Sequence, residues 1–260
     1  MSKVPFIRPK ITKFFEADML ENYLAGSFWF GTLKRYRMIE EDGSAANVEP
    51  RFSDRREGII ENGHNFDTGY AKSVMIGGIS ITNSYFSGNG TDIMITHEVN
   101  EFVFCASYGG YSRRQHLDIK NGALSVSGTQ YEGNPKLTHF AEIDLIDFID
   151  AVGMVAPRSS VWNTQLAQEE YLLHDRVKYG NTGSSNSIPS IYETGGMPDY
   201  EDYLRTIFTK PTHFSPENEF RVVLRANAPY SLEDDPAGMK LKHKKLRRSI
   251  TKTGFLDENR

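Results

Sequence analysis

The stretch Phe214 to Leu224 reads Phe-Ser-Pro-Glu-Asn-Glu-Phe-Arg-Val-Val-Leu. Ser215 and Pro216 have the composition of a loop end. From Glu217 the residues alternate: Phe220, Val222 and Leu224 on one side, Glu217, Glu219 and Arg221 on the other, the period of a strand. The pattern predicts two carboxylates on one face at the start of a strand, with a cation beside them. One carboxylate of such a pair can stabilise an oxocarbenium-like sugar centre, while the other orients or deprotonates an incoming nucleophile. The same spacing also describes an edge strand with a solvated charged face.

Other chemistries lack their residues. The seven histidines, at 64, 97, 116, 139, 174, 213 and 243, form neither a His-x-His nor a His-Glu-x-x-His pattern, so no metal site is expected. The chain carries no Gly-x-Ser-x-Gly elbow, no Gly-x-Gly-x-x-Gly after a strand and no phosphate-loop motif. Its single cysteine, Cys105, excludes an intramolecular disulfide. That points to a cytoplasmic protein, and the apolar run Phe102 to Ala106 predicts a buried, inert thiol. The N-terminus lacks the apolar core of a signal peptide, and no window has the length of a membrane span. With 38% hydrophobic and 25% charged residues the composition is that of a soluble globular chain. A formal net charge of -4 excludes whole-molecule attraction to nucleic acid and leaves only a local basic patch.

The elements that must position the pair are legible in part. Residues 11–15 form a strand candidate, 16–24 a helix closed by Gly26, and 27–33 a second strand. Residues 34–63 turn polar and rich in Arg and Tyr, too long for an idle connection. Ser73 to Asn83 reads as strand with a bulge or bend at Gly77-Gly78, and 92–96 with 101–107 as a hairpin. Residues 108–133 resist assignment apart from a short strand at 124–127. Helices are expected at 142–152, 162–177 and 199–208, and a loop at 179–190. Asp144, Asp147 and Asp150 share a helix side, a solvated face rather than a metal site. The prediction is a single α+β domain over 1–260, with a mostly antiparallel sheet split around a cleft, flanking helices and a basic C-terminal segment at 240–252.

Several of these stretches carry a resemblance. Ile11-Thr-Lys-Phe-Phe15, the short helix, Phe28-Trp-Phe-Gly31 and Leu33-Lys-Arg-Tyr-Arg37, with Phe102 to Ser107 and Glu217-Asn-Glu-Phe-Arg221, resemble a group of bacterial proteins. That group is similar to the ADP-ribosyltransferase fold, including DarT-type toxins of antiphage toxin–antitoxin systems. The likeness covers most of 11–107 and 205–225 and leaves 110–200 out. It implies an ADP-ribosyltransferase-like split sheet, NAD as substrate, no metal, and a nucleic-acid or protein acceptor, with an antitoxin as a further partner. Glu219 takes the place of the catalytic Glu and Glu217 that of the residue two before it. Ser107 fills the middle-strand role beside the NAD ribose. Lys13, Arg37 or Arg56 would hold the pyrophosphate, and Tyr36 and Phe14 would stack on nicotinamide. The sequence departs from a strict Arg–Ser–Glu pattern, which bears on NAD use itself.

Plainer roles exist for these residues. Ser107 can simply end a strand, and Arg35, Arg37, Arg55 and Arg56 can pair with Glu40, Glu41, Asp54 and Glu57 at the surface. A non-catalytic RNA- or protein-binding module on the same fold is the alternative to an enzyme. For a nucleic-acid acceptor the expected path runs through Arg113, Arg114, Lys244, Lys245, Arg247 and Arg248, with Tyr108 or Tyr111 stacking on a base.

Overall fold

The structure, a computed structural model, describes residues 8–35, 59–66, 69–76, 79–86, 91–98, 100–122, 125–126, 129–130, 133–158, 171–180, 200–210, 212–225 and 238–257. Its strands are β1 (Lys10–Phe15), β2 (Ser27–Thr32), β3 (Ile59–Phe66), β4 (Gly69–Ile76), β5 (Ile79–Phe86), β6 (Thr91–Glu98), β7 (Phe102–Tyr108), β8 (Ser125–Val126), β9 (Thr129–Gln130), β10 (His139–Asp144), β11 (Leu172–Arg176), β12 (Lys178–Tyr179), β13 (Thr209–Lys210), β14 (Glu219–Leu224), β15 (Gly238–Lys242) and β16 (Ile250–Phe255). Its α-helices are α1 (Leu20–Leu24), α2 (Arg113–Asn121), α3 (Leu145–Val155), α4 (Tyr200–Phe208) and α5 (Lys244–Ser249). The fold is α+β with a mostly antiparallel sheet, as composition and periodicity predict.

The main sheet runs β11-β14-β7-β1-β10-β16. β7 is where it forks. One edge of β7 pairs with β14 along its length. On the other edge it pairs with β1 at Ser107 and Tyr108 and with β2 at Phe102 and Val103. β2 in turn carries β15. Between the branches the Lys13 ammonium donates to the Cys105 carbonyl at 2.8 Å and lies 5.5 Å from the centre of the Phe104 ring. A cation thus occupies the carbonyl at the point where the ladder changes partners. Lys13→Met is expected to cost about 1.5–3 kcal/mol, the range for a hydrogen bond to a charged group; urea unfolding of the two chains measures it.

Both faces of the sheet are covered around β7 and β14. Phe102, Phe104, Phe220, Val222 and Leu224 meet Phe148, Val152 and Val155 of α3 and Leu246 of α5 in the main core. On the opposite face Val103 and Val223 pack with Leu33 and with Ile207 and Phe208 of α4. Farther along that face, Phe14 and Phe140 pack with Ile119 of α2. Every residue of β14 is buried, so the solvated edge-strand reading does not hold for it.

Local signals explain several elements. Gly26 closes α1 with φ +70, and a Cβ there would meet the His243 carbonyl at 2.6 Å, so glycine serves both the left-handed turn and the approach of α5. Ser112 caps α2 by accepting from the Gln115 amide, and left-handed Gly122 ends it. Asp144 caps α3 by accepting from the Asp147 amide, and both carboxylates bind Arg8. Among the described residues no group of His, Cys, Asp and Glu could hold a metal ion, and no helix is long and apolar enough to cross a membrane.

Other expectations need correction. Residues 92–96 and 101–107 are not a hairpin: β6 pairs with β3, taking residues 59–63 out of the expected loop, and β7 pairs with β14, β1 and β2. β4 and β5 pair with Ile76 opposite Ile79, so 73–83 belongs to two antiparallel strands and not to one bulged strand; Gly77 and Gly78 lie outside the described residues. Residues 142–144 belong to β10, and 172–176 form β11. In both cases the sheet supplies a paired neighbour that helical periodicity cannot reveal. The segment 240–248 is a strand followed by a six-residue helix. Residues 162–170 and 181–190 lie outside the described residues.

Candidate functional site

Glu219 opens β14 opposite Ser107 of β7. By alternation Glu219, Arg221 and Val223 share the face covered by α4. Glu217 does not belong to the strand. It ends a 3-10 helix, Thr212–Glu217, that contains Pro216. Asn218 follows with φ 44, a left-handed conformation that Asn tolerates better than most residues. Its side chain is fixed there: Nδ2 donates to the Tyr108 carbonyl at 2.8 Å and Oδ1 accepts from Arg176. This turn, not strand pleating, brings the two carboxylates together. Conformations of this kind cost stability and gather at functional sites.

The pair meets on one ammonium. Lys210 Nζ lies 2.7 Å from Glu219 Oε2 and 3.0 Å from Glu217 Oε2. Glu219 Oε1 accepts from Arg221 Nε at 2.6 Å, and Arg221 Nη1 donates to the Ile207 carbonyl at the end of α4. Arg221 is fully buried, Glu219 is 4% exposed and Lys210 5%. The surrounding backbone is tied down. Ser107 Oγ donates to the Glu217 carbonyl at 2.7 Å, Gln115 Nε2 donates to the same oxygen at 3.1 Å, and the Glu219 amide donates to the Tyr179 hydroxyl at 2.7 Å.

Electrostatics separates the two acids. Burial pushes the Glu217 carboxyl up to about 7; Lys210 opposes this and the charge of Glu219 adds to it. Burial works in the same direction on Glu219, but Arg221 and Lys210 outweigh it and hold Glu219 well below the usual carboxylate range. One site therefore carries a fixed anion beside a group that exchanges its proton near neutrality, the division of labour that acid–base chemistry requires. The Cys105 thiol is pushed up by burial and then by the charge of Glu219, which keeps it protonated and unreactive.

A cavity of about 720 Å³, within the range of small-molecule sites, opens beside Tyr179. Leu173, Leu204 and Phe208 form apolar lining, and His174, Lys178 and Arg205 are among its polar groups. Tyr179 lines the cavity and also touches the Glu219 amide. Neither carboxylate lines the cavity; Tyr179 is the link between it and Glu219.

Comparison with family models, with curated proteins and with solved structures returned no match.

The expected site residues fall into distinct places. Glu217, Glu219 and Ser107 come together, although Ser107 is engaged with backbone and 5% exposed. Lys13 starts from the other face of the sheet and spends its charge on the Cys105 carbonyl. Phe14 is 7% exposed and packs with Ile119, Phe140 and His116, so no face of its ring is open for stacking. Tyr36, Arg37 and Arg56 lie outside the described residues. Sequence reading missed Lys210, Tyr179, Gln115 and Asn218. Lys210 had no sequence signal, because its role comes from β13 lying beside β12, with Tyr179 opposite Lys210.

The pair makes a pH prediction. The folded pKa of Glu217 lies above its ordinary value of 4.5, so the native state binds more protons than the unfolded chain between about 4.5 and about 7. Stability from this group falls as pH rises through that window and then levels off. Glu219 has the opposite sign: its contribution is present above 4.5 and is lost as pH falls below it. Buried His116, whose imidazole is pushed down by burial, also loses stability as pH falls below its ordinary 6.5. The Glu217 component is isolated by urea unfolding of the native chain and Glu217→Gln across this range. The variant should gain on the native chain as pH rises to about 7. A constant difference would show that Glu217 ionises normally.

Proposed function

We propose that this chain is an NAD-dependent ADP-ribosyltransferase. The observation that carries the reading is the carboxylate pair: buried, ionised Glu219 beside part-buried Glu217, which titrates near 7, on a forked antiparallel sheet with Ser107 opposite Glu219 and a cavity beside Tyr179. In this reading the bond between nicotinamide and ribose C1′ breaks, and nicotinamide leaves with the electron pair. Glu219 stabilises the cation that remains, as carboxylates do in glycoside cleavage. Glu217 receives the proton of the acceptor as its new bond to C1′ forms. At rest Lys210 binds both carboxylates and holds them side by side. In this reading the forked sheet takes the part of the split sheet of ADP-ribosyltransferases, and the role proposed for the chain is that of a toxin or antiphage effector.

One observation favours a second reading, a non-catalytic binding module. Both oxygens of Glu219 are occupied, by Lys210 and by Arg221, within the protein interior. The two readings part on incubation of the purified chain with NAD labelled in its adenylate and with cell extract. Release of nicotinamide with label on a macromolecule supports the transferase. Neither event, together with unchanged cellular effects of Glu219→Gln, supports the binding module.

A further inference from the structure

The buried pair leaves the cationic C-terminal stretch without a role. Between Gly238 and Leu256 lie Lys240, Lys242, Lys244, Lys245, Arg247, Arg248 and Lys252, with no Asp or Glu among them, in a chain of formal net charge -4. The fold exposes most of this run. Met239 and Leu241 of β15 are buried while Lys240 and Lys242 are exposed, so the two lysines stand on the outer face of the β2–β15 ribbon. Lys240 is the cross-strand partner of Trp29. That tryptophan is 41% exposed between two fully buried neighbours, Phe28 and Phe30. The indole is held in place. A Cβ at Gly238 would meet its ring at 2.5 Å, and the Arg35 guanidinium lies over the ring, 5.8 Å from its centre, on a face where a stacking base would take its place. His243 alone joins β15 to α5, where Leu246 is buried and Lys244, Lys245, Arg247 and Arg248 are exposed. The result is an exposed indole with Lys240 opposite it on the outer face of the ribbon, and α5 one residue beyond the ribbon's end, its Leu246 packed in the core on the ribbon's other face and its cations exposed.

We propose that this surface binds single-stranded nucleic acid, with a base stacked on Trp29 and neighbouring phosphates on Lys240, Lys242 and the cations of α5. A basic track beside an exposed aromatic ring is how strands are held without sequence readout. An acidic protein would match the cations and leave the indole unused, and a duplex keeps its bases stacked out of reach. The expected path through Arg113 and Arg114 does not join this surface. Arg113 binds the Asp257 carbonyl, beyond the far end of β16 from α5, about 20 Å away at the rise of a strand. The ribbon pairs with β7 at Phe102 and Val103, whereas Glu219 faces Ser107 near its other end. The proposal therefore does not rest on NAD chemistry.

The test is fluorescence anisotropy with the full chain and labelled oligo-dT and oligo-U of about fifteen nucleotides, a duplex of equal length and poly-glutamate, at several salt concentrations. Both single strands should bind more tightly than the duplex or poly-glutamate. Changing Lys244, Lys245, Arg247 and Arg248 to Ala should weaken binding and reduce the log–log salt slope by about 0.7 for each phosphate that the variant no longer neutralises. Trp29→Ala should weaken binding about 5- to 150-fold, the worth of one stacked base, and leave the slope unchanged. Should Trp29→Ala fail to fold, quenching of native tryptophan fluorescence by oligo-dT, abolished in Trp29→Phe, reads the same stacking. Full affinity in Trp29→Ala, absence of that quenching in the native chain, or poly-glutamate binding as tightly as oligo-dT would overturn the proposal. The last result would assign the surface to an acidic protein.

Discussion

Arg221→Leu is expected to lower the free energy of unfolding by about 3–5 kcal/mol, the loss seen when one member of a buried ion pair is removed. That is a large part of the roughly 5–15 kcal/mol that holds a typical domain together. The guanidinium has no exposure, so its bonds to Glu219 and to the Ile207 carbonyl cannot be replaced by water. Leucine fills part of the volume but leaves Glu219 with Lys210 as its remaining cation in the network and the Ile207 carbonyl without this donor. Urea denaturation followed by circular dichroism measures the loss. Adding Glu219→Leu to Arg221→Leu should restore much of it, because the poorly compensated charge leaves with its partner. A double-mutant cycle then gives the coupling directly. A loss below about 1 kcal/mol for the single change, within the range of exposed pairs, would mean that the network is solvated.

The second large effect concerns rate and rests on the transferase reading. Glu219→Gln should slow nicotinamide release from NAD by about 100- to 1,000-fold, the usual consequence of losing a group aimed at transition-state charge. Because the amide keeps the shape of the acid and can still accept from Arg221, KM for NAD should change little, with the loss in kcat. Glu217→Gln should act differently. Transfer by the native chain should rise as pH passes about 7, where Glu217 releases its proton, and the variant should lose that rise. Nicotinamide release and label transfer, measured side by side from acid to alkaline pH, separate the two roles. Equal rates for the native chain and Glu219→Gln, with both folded by circular dichroism, would remove Glu219 from the chemistry.

The two groups of predictions draw on one arrangement. A site in which each carboxylate is satisfied inside the protein is stable at rest, and on the transferase reading one of those bonds has to give way. Lys210 is the natural partner to yield, since it is shared between two acids, whereas Arg221 is anchored on Ile207 as well. Tyr179 is the matching element on the cavity side. It reaches Glu219 through a backbone amide and leaves the carboxylate to the cations.

The sequence alone determined the local features. Alternation in 219–224 specifies a strand, Gly26 specifies the end of α1, and the apolar runs at 11–15, 27–32 and 102–107 specify the strands of the fork. Ser112 and Gly122 hold the signals for α2, though they go unseen where no apolar stripe draws attention to them. Composition excluded a disulfide and a whole-molecule basic field. Tertiary structure decided what these features mean. Strand pairing is a long-range choice, so β6 could join β3 and not β7, and 172–176 could become strand through β14. Burial is likewise a property of the assembled sheet. Glu219 and Arg221 look like a surface pair in a line of text, yet α4 covers them and makes them interior charges. Lys210 enters the site only because β13 lies against β12. The proton affinities of Glu217 and Glu219 diverge for the same reason: desolvation and the distances to Lys210 and Arg221 exist only once the chain has folded.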